Sequence, residues 1–60
     1  MRDNNYSSKL LEDAVDEFAS LPGVGRKTAL RLALHLLKQP VEKVNRFSNA
    51  FTQLRREVKY

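Results

Sequence analysis

The chain has no cysteine, a single histidine, and only two glycines and two prolines among its 60 residues. Without thiols there is no disulfide, no cysteine-built zinc site and no thiol nucleophile, and one histidine cannot assemble a histidine-rich metal cage. Long apolar runs are missing as well. Charge interrupts each of them well before the ~18 to 20 residues a membrane span requires, and the polar opening Met1 to Lys9 holds no signal-peptide core. The expectation is a soluble, untargeted protein that is cytosolic, or at least indifferent to redox state. No Ser-His-Asp set, metal cluster or carboxylate pair facing a cleft can be assembled, so the chain does not read as an enzyme.

Acidic residues are absent from one long stretch. Residues 1–20 carry two basic and five acidic side chains, whereas residues 21–60 carry nine basic and two acidic, and the net charge is +4. Between Phe18 and Val41 there is no aspartate or glutamate, yet the stretch contains Arg26, Lys27, Arg31 and Lys38. A chain this short buries only ~60% of its unfolded surface, which limits it to one marginal domain over residues 1–60.

The breakers stand at two places, Pro22-Gly23-Val24-Gly25 and Pro40, and divide the chain into three helical segments with no strand pattern. The first, about Ser8 to Ser20 with Ser7 or Ser8 as N-cap, places Leu11, Val15 and Phe18 on one face. Glu12, Asp13, Asp16 and Glu17 form its outer face, where like charges repel unless cations approach. The second, about Arg26 to Lys38, spreads Ala29, Leu30, Leu32, Ala33, Leu34, Leu36 and Leu37 over an arc of roughly 200°. One neighbour cannot cover so wide an arc, which predicts a central helix flanked by the other two segments or by another subunit.

The third segment begins with Pro40 in its first turn and spaces Val44, Phe47, Phe51, Leu54 and Val58 as a heptad seam. The seam either packs on the domain's own core or is shared with a second copy. With no stop signal before Lys59 and Tyr60, the helix is expected to run to the last residue, as in a piece of a longer protein. Arg55, Arg56 and Lys59 read either as a solvated flank or as a second contact surface.

The chemistry concentrates at the hairpin. Pro22 stops the incoming helix, Gly23 can adopt positive φ, Val24 plugs into the core, and Gly25 allows close backbone approach where the second helix starts. That helix has no Ser, Thr, Asp or Asn at its cap, so its first N–H groups lack a side-chain acceptor. Arg26 and Lys27 load the positive end of its dipole further, each opposing it by ~0.3–1 kcal/mol at low salt. An anion would relieve both defects.

A nucleotide site would need a strand and a longer glycine loop before the helix, whereas here helices lie on both sides of a short turn. The stripe Lys27, Arg31, His35 and Lys38 instead suits a repeating phosphate chain, read without base specificity. The predicted DNA-binding residues are therefore Gly23, Val24, Gly25, Arg26, Lys27 and Arg31, extended by His35 and Lys38. The rival reading is an assembly module whose hairpin only connects helices, with Val44, Phe47, Phe51, Leu54 and Val58 as the oligomer interface.

The run from Phe18 through Leu-Pro-Gly-Val-Gly, Lys27-Thr28-Ala29, Arg31-Leu32-Ala33 and His35-Leu36-Leu37 resembles the helix-hairpin-helix motif. More narrowly, it resembles the N-terminal segment of the RecR family of bacterial recombination mediators. The resemblance implies an all-α, three-helix domain with a long C-terminal helix, in a ring-shaped oligomer that clamps DNA and works with RecO and RecF to load recombinase. It further implies a domain that supplies DNA contacts, through Lys27 and Arg31, and part of a subunit interface in which helices can be exchanged. The chain departs from the family pattern at Arg26, where proline is usual. The family's four-cysteine zinc site and Toprim domain have no counterpart in these 60 residues, so no cofactor is expected here and zinc belongs to the longer protein.

Overall fold

A computed structural model describes residues 4–59, and side-chain environments from Lys9 onward. Three helices follow one another: α1 Asn4–Ala19, α2 Arg26–Leu37 and α3 Val41–Glu57. No strand occurs among the described residues, so the all-α expectation holds. No helix among them is long and apolar enough to cross a membrane.

The breakers act where their stereochemistry requires. α1 ends at Ala19, and the Ser20 N–H reaches back to the Asp16 carbonyl at 3.1 Å. The Val24 N–H then donates to the Leu21 carbonyl at 3.1 Å, with Pro22 and Gly23 between them. Gly23 sits at φ +80°, so the turn has the type II pattern of proline followed by a left-handed residue. A side chain there would be strained even though the space around it is open. At the far end of α2, the Gln39 N–H bonds the Leu36 carbonyl at 3.0 Å, and Pro40 prevents further continuation.

Three boundaries differ from the sequence expectation. α1 already begins at Asn4, so Ser7 and Ser8 fall inside its span rather than at its N-cap position. Asn and Ser carry modest helix penalties, which the apolar face downstream outweighs. Pro40 is the N-cap of α3 rather than a residue of its first turn, with φ −63° and ψ 153°. α3 stops at Glu57, because Val58 turns to an extended conformation (φ −93°, ψ 123°), which removes Val58 and Lys59 from the helix. The last residue, Tyr60, lies outside the described residues.

α1 and α2 pack along their length, and theirs is the one extensive helix contact among the described residues. Val15, Ala29 and Ala33 are buried, with Leu11, Ala14, Phe18, Ala19 and Val24 packed around them. Two alanines on α2 let the helix backbones approach closely, and Val24 from the hairpin fills the open end. The expected role of Val24 as a plug is therefore met.

α3 is different. It has no buried residue, so its seam does not pack on the domain's own core. Phe47 and Phe51 stack edge to face with ring centroids 4.9 Å apart, yet Phe51 remains 55% exposed. On α2, Leu30, Leu32, Leu34 and Leu37 are likewise exposed, so among the described residues only α1 packs extensively against α2, which is not flanked on both sides by its own chain. The chain is extended, 46 × 27 × 15 Å, with a radius of gyration of 13.4 Å against about 10 Å for a compact domain of this length. Its 5439 Å² of accessible surface exceeds by roughly 1,400 Å² what a folded monomer of 6.9 kDa exposes.

Candidate nucleic-acid interface

The hairpin and the start of α2 form one continuous exposed surface. Gly25 is the N-cap of α2, and no side chain caps the helix. The first intrahelical bond runs from the Ala29 N–H to the Gly25 carbonyl at 2.9 Å. The N–H groups of Arg26, Lys27 and Thr28 therefore precede the ladder and have no intrahelical acceptor. Gly25 itself has φ −82° and ψ 174°, an extended conformation open to any residue. A Cβ there would meet nothing within 4 Å, so neither backbone nor packing calls for glycine at this position.

Charge is arranged against the dipole of α2. Its first turn has no acid and two cations, whereas α3 follows the ordinary pattern, with Glu42 in its first turn and Arg55 and Arg56 in its last. Arg55 and Arg56 thus stand where their charge complements the negative end of the α3 dipole. Lys27 and Arg31, four residues apart on an exposed helix face, are neighbours and have no ion-pair partner among the described residues. His35 is exposed one turn further along, and Lys38 is the C-cap of α2, where its charge complements the negative end of the dipole.

Arg26 has an acidic neighbour that the residue order did not point to. Its guanidinium donates to Asp16 Oδ1 at 2.9 Å, tying the first residue of α2 to the acidic face of α1. Both side chains are largely exposed, so the pair is worth at most about 1 kcal/mol. A stretch of sequence without acids is thus not free of acids in space. Asp13 on the same face accepts from Lys9 at 2.9 Å, and this hydrogen bond and charge raise the Lys9 ammonium above its ordinary pKa. Beside the hairpin, α1 and α2 enclose an open groove of ≈ 470 Å³ lined by Leu11, Val15 and Leu30 together with Glu12, Arg26 and Lys27.

The predicted interface residues of α3 fall on an exposed surface of their own. Phe47, Phe51 and Leu54 are exposed and Val44 is half-buried, all within the helix, whereas Val58 follows its end.

Against known sequences, the family described as "RecR, helix-hairpin-helix" matches residues 11–55, which takes in the whole hairpin, α2 and nearly all of α3. The chain belongs to the RecR helix-hairpin-helix family. Among curated relatives, the recombination protein RecR of Porphyromonas gingivalis is 64% identical over 55 residues, or 92% of this chain and 27% of the relative. The RecR of Phocaeicola vulgatus is also 64% identical, and that of Flavobacterium johnsoniae 53%, each over the same 92% and 27%. The chain thus spans about a quarter of the length of the RecR proteins it matches. No solved structure matches it.

The zinc that the RecR resemblance implies for longer members does not fit this chain. There is no cysteine, and no group of three His, Cys, Asp or Glu side chains among the described residues could hold a metal ion.

Proposed function

We propose that this RecR-type domain binds DNA through backbone phosphates, without regard to sequence, and associates with a second copy of itself in a protein of recombination and repair. The observation that carries the DNA reading is the uncapped start of α2, continued by Lys27 and Arg31, two exposed cations with no ion-pair partner among the described residues. Three amides without an intrahelical acceptor, the positive end of a dipole and two exposed cations together make a phosphate seat. The seat offers no donor and acceptor pattern that would tell one base pair from another. It binds and positions, and no chemical step is assigned to it. In the longer protein the same surface would line a clamp around DNA, in the cytoplasm, and would act with RecO and RecF to load recombinase.

Nitrogen chemical shifts test the seat directly. On titration with an oligonucleotide, the amides of Gly23 through Lys27 should move first and furthest, and Arg31 should follow. Amides that stay in place while the duplex binds elsewhere would remove the seat from the hairpin.

The assembly reading is supported by the exposed seam of α3 and the unpartnered leucines of α2. If each of two chains buried the roughly 1,400 Å² of excess surface, the interface would reach ~2,800 Å², in the range of obligate dimers. Sedimentation equilibrium should give twice the chain mass of 6.9 kDa at micromolar concentration. A mass that remains at one chain up to millimolar concentration would rule out self-association through this surface.

A further inference from the structure

The pairing of Arg26 with Asp16 joins the start of α2 to the acidic face of α1, between residues ten apart in sequence. Arg26 is the first residue of α2, directly at the proposed phosphate seat, and its guanidinium is held at 2.9 Å by a carboxylate of α1. Both partners are more than half exposed, so the pair can open without disturbing the core of Val15, Ala29 and Ala33. Glu12, one turn earlier on α1, lines the same groove as Arg26 and Lys27. The side of the seat that faces α1 is therefore negative, and the side that faces along α2 is positive.

From this we infer that Asp16 is a built-in competitor for phosphate: it occupies Arg26 in the free protein, lowers the affinity of the seat for a nucleic-acid backbone, and must release Arg26 before that side chain can take a phosphate. The inference rests on the DNA-binding reading above and adds its regulation. A carboxylate and a phosphodiester oxygen are alternative acceptors for one guanidinium, and both offer it charge-assisted hydrogen bonds. While Asp16 holds Arg26, the seat presents Lys27, Arg31 and the free amides. When Asp16 lets go, it presents one cation more. Glu12 and Asp16 also repel a strand that approaches over α1, so the backbone is directed onto the Lys27 and Arg31 side.

The test compares Asp16→Asn with Asp13→Asn in the full 60-residue chain, by fluorescence anisotropy with a labelled duplex at several salt concentrations. Asp13 lies on the same helix and its replacement changes net charge equally, but its partner is Lys9, not Arg26. If Arg26 gains a phosphate, D16N should bind several-fold more tightly at 50 mM salt, with a log–log salt slope steeper by about 0.9. Its advantage over the parent should then shrink by about 3.5-fold between 50 and 200 mM. D13N should show a smaller gain and an unchanged slope. Adding Arg26→Ala to D16N should abolish the gain.

Equal behaviour of D16N and D13N would overturn the inference, as would D16N binding no more tightly than the parent. Weaker binding by D16N would show instead that the pair serves only to hold the hairpin together. In each of these cases the seat itself stands as long as loss of Lys27 and Arg31 still weakens binding. If that loss has no effect, the DNA-binding reading fails first.

Discussion

Replacing Lys27 and Arg31 together with alanine should lower DNA affinity by more than tenfold at 50 mM salt, equally for unrelated sequences. The parent module, neutralising two to four phosphates, should bind with a dissociation constant of ~10⁻⁴ to 10⁻⁶ M and a salt slope near −2 to −4. Each cation removed from a duplex contact takes ~0.9 from that slope, so the double variant should be shallower by about 1.8. Single-stranded DNA follows the same logic at ~0.7 per phosphate. Both side chains are exposed on α2 and unpaired among the described residues, so their loss should leave the fold intact. Lys27 opposes the helix dipole, and its removal should if anything raise thermal stability slightly. Affinity and stability should therefore move in opposite directions, which separates loss of a contact from loss of structure. Parental binding by the double variant would leave assembly through α2 and α3 as the role of this domain, with the hairpin reduced to a connector.

The second large effect lies in the α1–α2 contact. Ala29 is 0% exposed and Ala33 is 4% exposed, and both face α1. Ala29→Leu forces three further carbon atoms into the closest approach of the two helices. Overpacking of this kind costs ~1–3 kcal/mol. A chain of 60 residues has only ~3–9 kcal/mol of stability in all. At ~4–8 °C per kcal/mol the melting temperature should fall by roughly 5–20 °C. Circular dichroism at one fixed protein concentration is the appropriate measurement, because association would couple to unfolding. Alanine in place of the exposed Leu32 should cost far less in the dissociated chain. An unchanged melting temperature for Ala29→Leu would mean that the buried contact between α1 and α2 is not what holds the fold.

The hairpin could be read almost completely from the residue order. Proline followed by glycine admits few backbone paths, and the type II pattern at Pro22-Gly23 is one of them. The missing cap of α2 was equally visible, since no residue with a short polar side chain stands before Arg26. The ends of the chain were harder. Ser7 and Ser8 look like caps, yet a helix can run through serine when its apolar face continues, and α3 stops at Glu57 without glycine or proline to mark it. Three of the apolar seam residues, Phe47, Phe51 and Leu54, do lie exposed on one helix, but spacing alone left open whether they meet their own core or another chain.

Arg26 shows why charge along the chain is an incomplete guide. Counting acids between Phe18 and Val41 finds none, and the carboxylate that reaches Arg26 belongs to a residue two positions outside that stretch. The amino-acid order decided on its own that there are three helices, where the turns lie and which α2 amides lack a cap, because steric limits on proline and glycine and the absence of an acceptor act over a few neighbouring residues. Which apolar faces are covered, and which cations are free to meet a phosphate, emerged only once α1 and α2 crossed. Burial and ion pairing depend on distances between atoms far apart in the chain, and the folding of the hairpin sets those distances.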